Sequence, residues 1–129
     1  MIDGIVLKEL ITHTDRRGFF RELIRTNDEF FNDSFGQLSH SLMFNGVTKA
    51  WHLHRKMTLN YAVVVGTIKL VLYDDREKSP TNGELQELFI GRENYSLVKI
   101  PPYVWNGFKT VGTEMAILAN CATLAHDTN

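Results

Sequence analysis

This sequence predicts an all-β sandwich or barrel with little helix. Its apolar runs are short and rich in Val, Ile and aromatic residues, as strands are. Several alternate with period two, which puts one face in a core and the other in solvent. Gly, Pro and Asn clusters separate the runs about every 8–12 residues, the rhythm of small antiparallel sheets.

In chain order, "GIVLKELIT" (4–12) reads as a first strand, and "DRRGFFRELIRT" (15–26) as a turn followed by an extended segment. "NDEFFNDSFG" (27–36) offers Asn27 or Asp28 as an N-cap ahead of paired aromatics, which predicts one short helix. "QLSHSLM" (37–43), "VTKAWHLH" (47–54) and "TIKLVLY" (67–73) alternate as half-buried strands do. "NYAVVVG" (60–66) is a buried strand ending at Gly66, and "ELQELFIG" (84–91) ends likewise at Gly91. "YSLVKIPPYVW" (95–105) runs from a strand into a Pro-Pro turn, and "EMAILANCAT" (114–123) makes the last long strand. Ile68, Leu70 and Leu72 form one core face, while Trp51 and Leu53 bury opposite the histidines of their own strand. The expectation is one domain over 1–129.

Composition excludes several classes of function. Fourteen basic residues face fifteen acidic ones, a net charge of −1 with no block of one sign, so neither nucleic acid nor a membrane surface is an expected partner. Cys121 is the only cysteine, which rules out an internal disulfide and reads as a small buried hydrophobe. No basic stretch precedes a long apolar run at the N-terminus, and no run is long enough to span a bilayer. A cytoplasmic address is expected.

"KAWHLHRK" (49–56) carries the first chemical signal, because His52 and His54 point the same way on a strand. They can be half of a metal site, a catalytic base with a companion, or two wet side chains on a sheet edge. Gly46 ahead of His52-Leu53-His54, with Gly66 behind, resembles the first motif of the cupin superfamily, and "KIPPYVWNGF" resembles the second. Metal-binding cupins hold their ion with two histidines and a glutamate from the first motif and one histidine from the second. Leu59 stands near that glutamate and Asn106 at that histidine, so two of four ligands are missing. A divalent transition metal wants at least three protein donors, and no metal or other cofactor is expected.

A closer resemblance spans nearly the whole chain. Asp15-Arg16-Arg17-Gly18-Phe19-Phe20-Arg21-Glu22 fits the D-x-R-G-x-F-x-E signature of the dTDP-4-dehydrorhamnose 3,5-epimerase family. Gln37-Leu38-Ser39-His40-Ser41 and Gly46-Val47 follow its Q-x-N-x-S…G-V run. "DDREKSPTNG" (74–83) fits its D-x-R-x-x-S-P-T-x-G loop, and Ile100-Pro101 with Asn106-Gly107-Phe108 follows its I-P…H-G-F. The resemblance implies a cupin-type β-jelly roll, a homodimer that exchanges N-terminal strands, and a deep cavity for a nucleotide-diphosphate sugar. It implies epimerisation or isomerisation beside the ketone of a 4-keto-6-deoxy sugar, in polysaccharide or deoxysugar biosynthesis. The alternatives are a nucleotide-sugar-binding cupin without catalysis, and a metal-dependent cupin using His52 and His54.

The chemistry gives those residues their jobs. A 4-keto group acidifies the hydrogens on C3 and C5; a base removes one, a donor stabilises the enolate, and an acid returns a proton from the opposite face. The family's base falls on His52 and its neighbouring arginine on Lys49, which keeps the charge but not the planar fork. Phe20 and Glu22 are expected at the partner subunit's site, and Gln37, Ser39, His54, Asn106 and Phe108 around the substrate. The family's lysine falls near Leu59 or Asn60 and its aspartate near Leu70. Its C-terminal tyrosine, the acid, falls on Ala125 or His126, so His126 is the candidate replacement. The tail with the carboxylate that orients the base lies beyond Asn129. His40 is out of phase with Gln37, Ser39 and Ser41 and should face away from the cavity; His13 should be solvated. Tyr61, Tyr73 and Tyr103 read as packing residues, with Tyr103 nearest the cavity mouth. Arg76 and Lys78 read as solvated, with a diphosphate contact as the alternative.

Overall fold

The structure, a computed structural model, describes residues 1–28 and 34–125. Two antiparallel sheets face each other as a jelly roll. The larger contains β1 (Val6–Glu9), β4 (Gln37–Phe44), β6 (Leu59–Val65), β9 (Ser96–Ile100) and β11 (Met115–Ala122), in the order β1-β9-β6-β11-β4. The smaller contains β5 (Thr48–His52), β7 (Thr67–Tyr73), β8 (Leu85–Gly91) and β10 (Trp105–Thr110), in the order β5-β10-β7-β8. A separate hairpin joins β2 (Thr12–Asp15) to β3 (Gly18–Arg21). No described residue is helical; half of the helix expected over 27–36, residues 29–33, lies outside the described residues, and 27–28 and 34–36 are not helical.

The core lies between the sheets. Ile68, Leu70 and Leu72 of β7 are fully buried and pack with Val63, Ile90, Val98, Ile100 and Leu118. Their partners on the other face, Lys69, Val71 and Tyr73, are partly or wholly exposed, so the period-two pattern of "TIKLVLY" is real. Gly66 closes β6 at φ +78, and a Cβ there would stand 2.1 Å from the Met115 carbonyl oxygen. Only glycine fits this joint between β6 and β7.

Three expectations change. The single strand over 4–12 divides into β1 and β2, because Leu10 turns inward between them to join Ala62, Tyr95 and Leu97. Trp51 faces away from the histidine side as expected, but it is 52% exposed rather than buried. A strand over Trp105–Thr110 was not among the expected elements, which end at Trp105 and resume at Glu114. Gly107 is there for space: a Cβ on it would lie 2.8 Å from the Ala50 Cβ of the adjacent strand.

The loop after β7 fastens the N-terminus to the smaller sheet. Asp74 is fully buried and accepts bonds from Arg76 Nε (2.8 Å), the Ser79 hydroxyl (2.6 Å) and the Thr81 hydroxyl (2.6 Å). The Arg76 guanidinium also donates to the Asp3 carbonyl at 2.6 Å, and the Asp3 N–H donates to the Thr81 hydroxyl at 2.9 Å. Arg76 is thus a structural tie rather than a solvated side chain, while Lys78 is exposed.

Candidate active site

A cavity of about 320 Å³ opens between the two sheets. The smaller sheet and the loop after β5 contribute Lys49, His52, His54, Met57 and Phe108. The larger sheet contributes Gln37, Ser39, Ser41, Tyr61 and Asn120. In β4 the odd-numbered residues point inward, and His40 on the other phase is exposed, as its register demands.

An irregularity in β5 builds the basic wall. Asn106 of β10 pairs with His52 and Phe108 with Lys49, so two residues of β5, Ala50 and Trp51, stand opposite the single Gly107 of β10. In a regular strand Lys49 and His52, three apart, would face opposite ways. The bulge turns both toward the cavity.

His52 is half-buried, and its ring stacks on Phe108 with centroids 5.8 Å apart and planes at 26°. Partial burial holds the imidazole below its ordinary pKa, and the Lys49 charge pushes in the same direction. Both effects favour the neutral ring, the form that can accept a proton. Across the cavity, Tyr61 presents its ring edge-on to the same Phe108, with centroids 5.9 Å apart and planes at 87°. Its hydroxyl donates to Asn106 Oδ1 at 3.0 Å. Burial raises this phenol well above the ordinary tyrosine pKa, against a smaller opposing effect from the Asn106 bond.

The expected site residues divide by location. Gln37, Ser39, Lys49, His52, His54 and Phe108 converge on the cavity. Asn106, expected to touch substrate, is fully buried instead and bonds to Tyr61, because its strand turns that position into the core. Phe20 is 63% exposed on the β2–β3 hairpin and Glu22 is exposed just after it; neither lines this chain's own cavity. His126 lies outside the described residues. Tyr61, expected as a packing residue, lines the cavity, whereas Tyr103 is exposed and does not. Strand phase does not single out Tyr61, because β6 is buried without alternation; only the register, which pairs it with Asn120, places both on the inner face. Among the described residues, no three His, Cys, Asp or Glu side chains gather to hold a metal ion, so His52 and His54 lack a third donor there.

With that geometry in view, the relatives agree. The family profile for dTDP-4-dehydrorhamnose 3,5-epimerase matches residues 1–128. The chain belongs to this family. The spore coat polysaccharide biosynthesis protein SpsL of Bacillus subtilis is 39% identical over 127 residues, which are 98% of this chain and 83% of that protein. The probable low-salt glycan biosynthesis epimerase Agl13 of Haloferax volcanii is 34% identical, covering 98% of this chain and 81% of that protein. Among solved structures, a dTDP sugar isomerase from Desulfovibrio desulfuricans G20 is 40% identical and superposes with a TM-score of 0.95 over 99% of this chain and 82% of that one. The Legionella pneumophila dTDP-6-deoxy-D-glucose-3,5-epimerase, solved with dTDP-4-keto-L-rhamnose, is 26% identical with a TM-score of 0.87, covering 98% of this chain and 70% of that one. The epimerase family thus supplies an isomerase chemistry for a cavity of this shape, on a cupin jelly roll.

Proposed function

We propose that the protein is a sugar-nucleotide epimerase or isomerase that removes a proton beside the ketone of a nucleotide-linked 4-keto-6-deoxy sugar, with His52 as the base. The observation that carries this reading is a half-buried imidazole that stacks on Phe108 and faces a polar cavity beside Lys49. A base of this kind works best when its pKa lies near or just below the ambient pH. Lys49 on the same wall can stabilise the enolate oxygen or the diphosphate. Arg55 and Lys56, exposed between the lining residues His54 and Met57, add positive charge beside the cavity and favour an anionic ligand. Gln37, Ser39 and Ser41 on the facing wall suit sugar hydroxyls.

A homodimer belongs to the same proposal. β4 is an edge strand, and Leu38, Leu42 and Phe44 on its outer face are 64%, 47% and 66% exposed. A long apolar edge of this kind invites pairing with a second chain. Phe20 and Glu22 would then be free to reach the partner's cavity. No helix is long and apolar enough to cross a membrane among the described residues, and a cytoplasmic location is proposed with the rest.

The test is solvent exchange. In deuterated buffer a dTDP-4-keto-6-deoxy sugar should lose its C3 or C5 proton signal with the native protein, and His52→Ala should stop this. Nucleotide-sugar binding should survive within about tenfold, since one uncharged contact contributes about 1 kcal/mol. Equal exchange by the variant would clear His52 of the role. Tight binding without exchange by either protein would favour a non-catalytic binder.

A further inference from the structure

Inversion at a carbon needs a base on one face of the sugar ring and a proton donor on the other. His52 and Lys49 both stand on β5, so both approach from the smaller sheet. The larger sheet offers Gln37, Ser39, Ser41, Tyr61 and Asn120 to the cavity. Of these only Tyr61 carries a phenol; amides are not acids in this sense, and serine hydroxyls are far weaker acids than a phenol. His52 and Tyr61 are both ring neighbours of Phe108, which lines the cavity with them. We infer that Tyr61 is the general acid that protonates the enolate from the face opposite His52, and that Asn106 is its positioning residue. This rests on the epimerase reading above and assigns the acid that reading leaves open.

The step balances without an added reactant. The imidazole nitrogen takes the proton from the carbon beside the ketone, and the bonding pair moves into the ring to leave the negative charge on the ketone oxygen. The pair then returns to carbon and takes the Tyr61 hydroxyl proton on the opposite face. The imidazolium gives its proton to solvent and the phenolate recovers one, so nothing is consumed. Asn106 suits both states. At rest its Oδ1 accepts the phenol proton at 3.0 Å; turned over, the same carboxamide presents its N–H to the phenolate. Asn106 also sits opposite His52 in the β5–β10 register, and its Nδ2 lies 3.5 Å from the His52 carbonyl oxygen. Acid and base are therefore held by one buried side chain. No position in the sequence pattern alone reveals this, because Tyr61 sits in the apolar run "NYAVVVG".

The experiment separates proton removal from inversion. Native protein, Tyr61→Phe and His52→Ala are incubated with the dTDP-4-keto-6-deoxy sugar in deuterated buffer, and exchange and product stereochemistry are followed by NMR. Tyr61→Phe should keep exchange within about tenfold of native and lose inversion by about 100-fold or more, the scale of general acid catalysis. Thermal melting and dTDP binding show whether the variant is folded. A second variant protects against a misfolded one: 3,5-difluorotyrosine at position 61 keeps the shape but makes the phenol more acidic. It should move the alkaline limb of the inversion profile to lower pH and leave the acidic limb alone. Inversion at native rate by Tyr61→Phe overturns the assignment. So does an equal loss of exchange and inversion in a folded variant, or a difluorotyrosine profile that does not move. If the native protein itself shows no exchange, the epimerase reading fails, and the acid falls with it.

Discussion

Replacing Asp74 with asparagine should be among the most destabilising single-atom changes this fold can suffer. The carboxylate is fully buried and serves Arg76 Nε at 2.8 Å, an Arg76 Nη2 at 3.0 Å, the Ser79 hydroxyl at 2.6 Å and the Thr81 hydroxyl at 2.6 Å. The amide keeps one acceptor and turns the other into a donor facing groups that are already donors. Arg76, with its side chain 24% exposed, is left without its buried counter-charge. Removing one partner of a buried pair costs about 3–5 kcal/mol, and the partial exposure of Arg76 puts this case near 3 kcal/mol. For a chain of this size that is a drop of roughly 10 °C in melting temperature. Guanidinium denaturation followed by tryptophan fluorescence would measure it, with Asp75→Asn as control. Asp75 is exposed and accepts from the Trp105 indole N–H at 3.2 Å, so its loss should stay under about 1 kcal/mol.

The pH dependence provides a second, independent reading of the same change. The Arg76 guanidinium and the two hydroxyls hold Asp74 well below the usual carboxylate range, despite its burial. A depressed folded-state pKa contributes stability above the unfolded value of about 3.9, and that contribution is lost as pH falls below it. The gap between native and Asp74→Asn should therefore be full at neutral pH and shrink below about pH 4. A gap under about 1 kcal/mol at neutral pH, or one that stays constant down to strong acid, would refute the tie between this loop and the N-terminus.

Three other outcomes follow from the site and the sheets. Lys49→Gln removes a charge that disfavours the imidazolium, so His52 titrates higher and the acidic limb of the exchange profile should move to higher pH; an unmoved limb would separate the two side chains. Gly107→Ala drives a methyl to within 2.8 Å of the Ala50 Cβ and should cost about 1–3 kcal/mol, with weaker dTDP binding as the β5 bulge shifts, measured by melting and calorimetry. Phe44→Glu on the outer face of edge strand β4 should convert a dimer to monomer at micromolar concentration by light scattering, while melting of the monomer stays cooperative.

What the sequence made legible, and what it hid, have different physical causes. The alternation in "TIKLVLY" reports a sheet with one dry face and takes the phase it dictates, whereas "QLSHSLM" takes the strand but leaves its apolar Leu38 and Leu42 exposed and turns its polar residues to the cavity. Strand phase also separates Gln37, Ser39 and Ser41, which line the cavity, from the exposed His40. Strand β10 was hidden because Asn-Gly is the strongest short turn signal, and here the glycine answers a tertiary approach rather than a turn. The shared face of Lys49 and His52 was hidden for a related reason. A bulge breaks the period on which phase arguments rest, and only the pairing with β10 reveals it.

Asn106 shows how a replaced catalytic position can acquire a new task. Where the resemblance sets a histidine, this chain places a neutral amide, fully buried, between the main chain of His52 and the hydroxyl of Tyr61. A histidine there would bring a second titrating group into a dry pocket beside the base and would disfavour the charge His52 must take up. An amide carries no charge at any pH and can donate or accept, so it can hold a phenol through both of its protonation states. Losing a histidine in "WNGF" and using a tyrosine in "NYAVVVG" thus describe one rearrangement, in which β10 supports the acid and β6 presents it. On this argument the pair should fail together. Asn106→Leu should lower inversion without lowering exchange, as Tyr61→Phe does, and the double variant should be no worse than the worse single one. Additive losses from the two changes would mean that Asn106 serves packing alone.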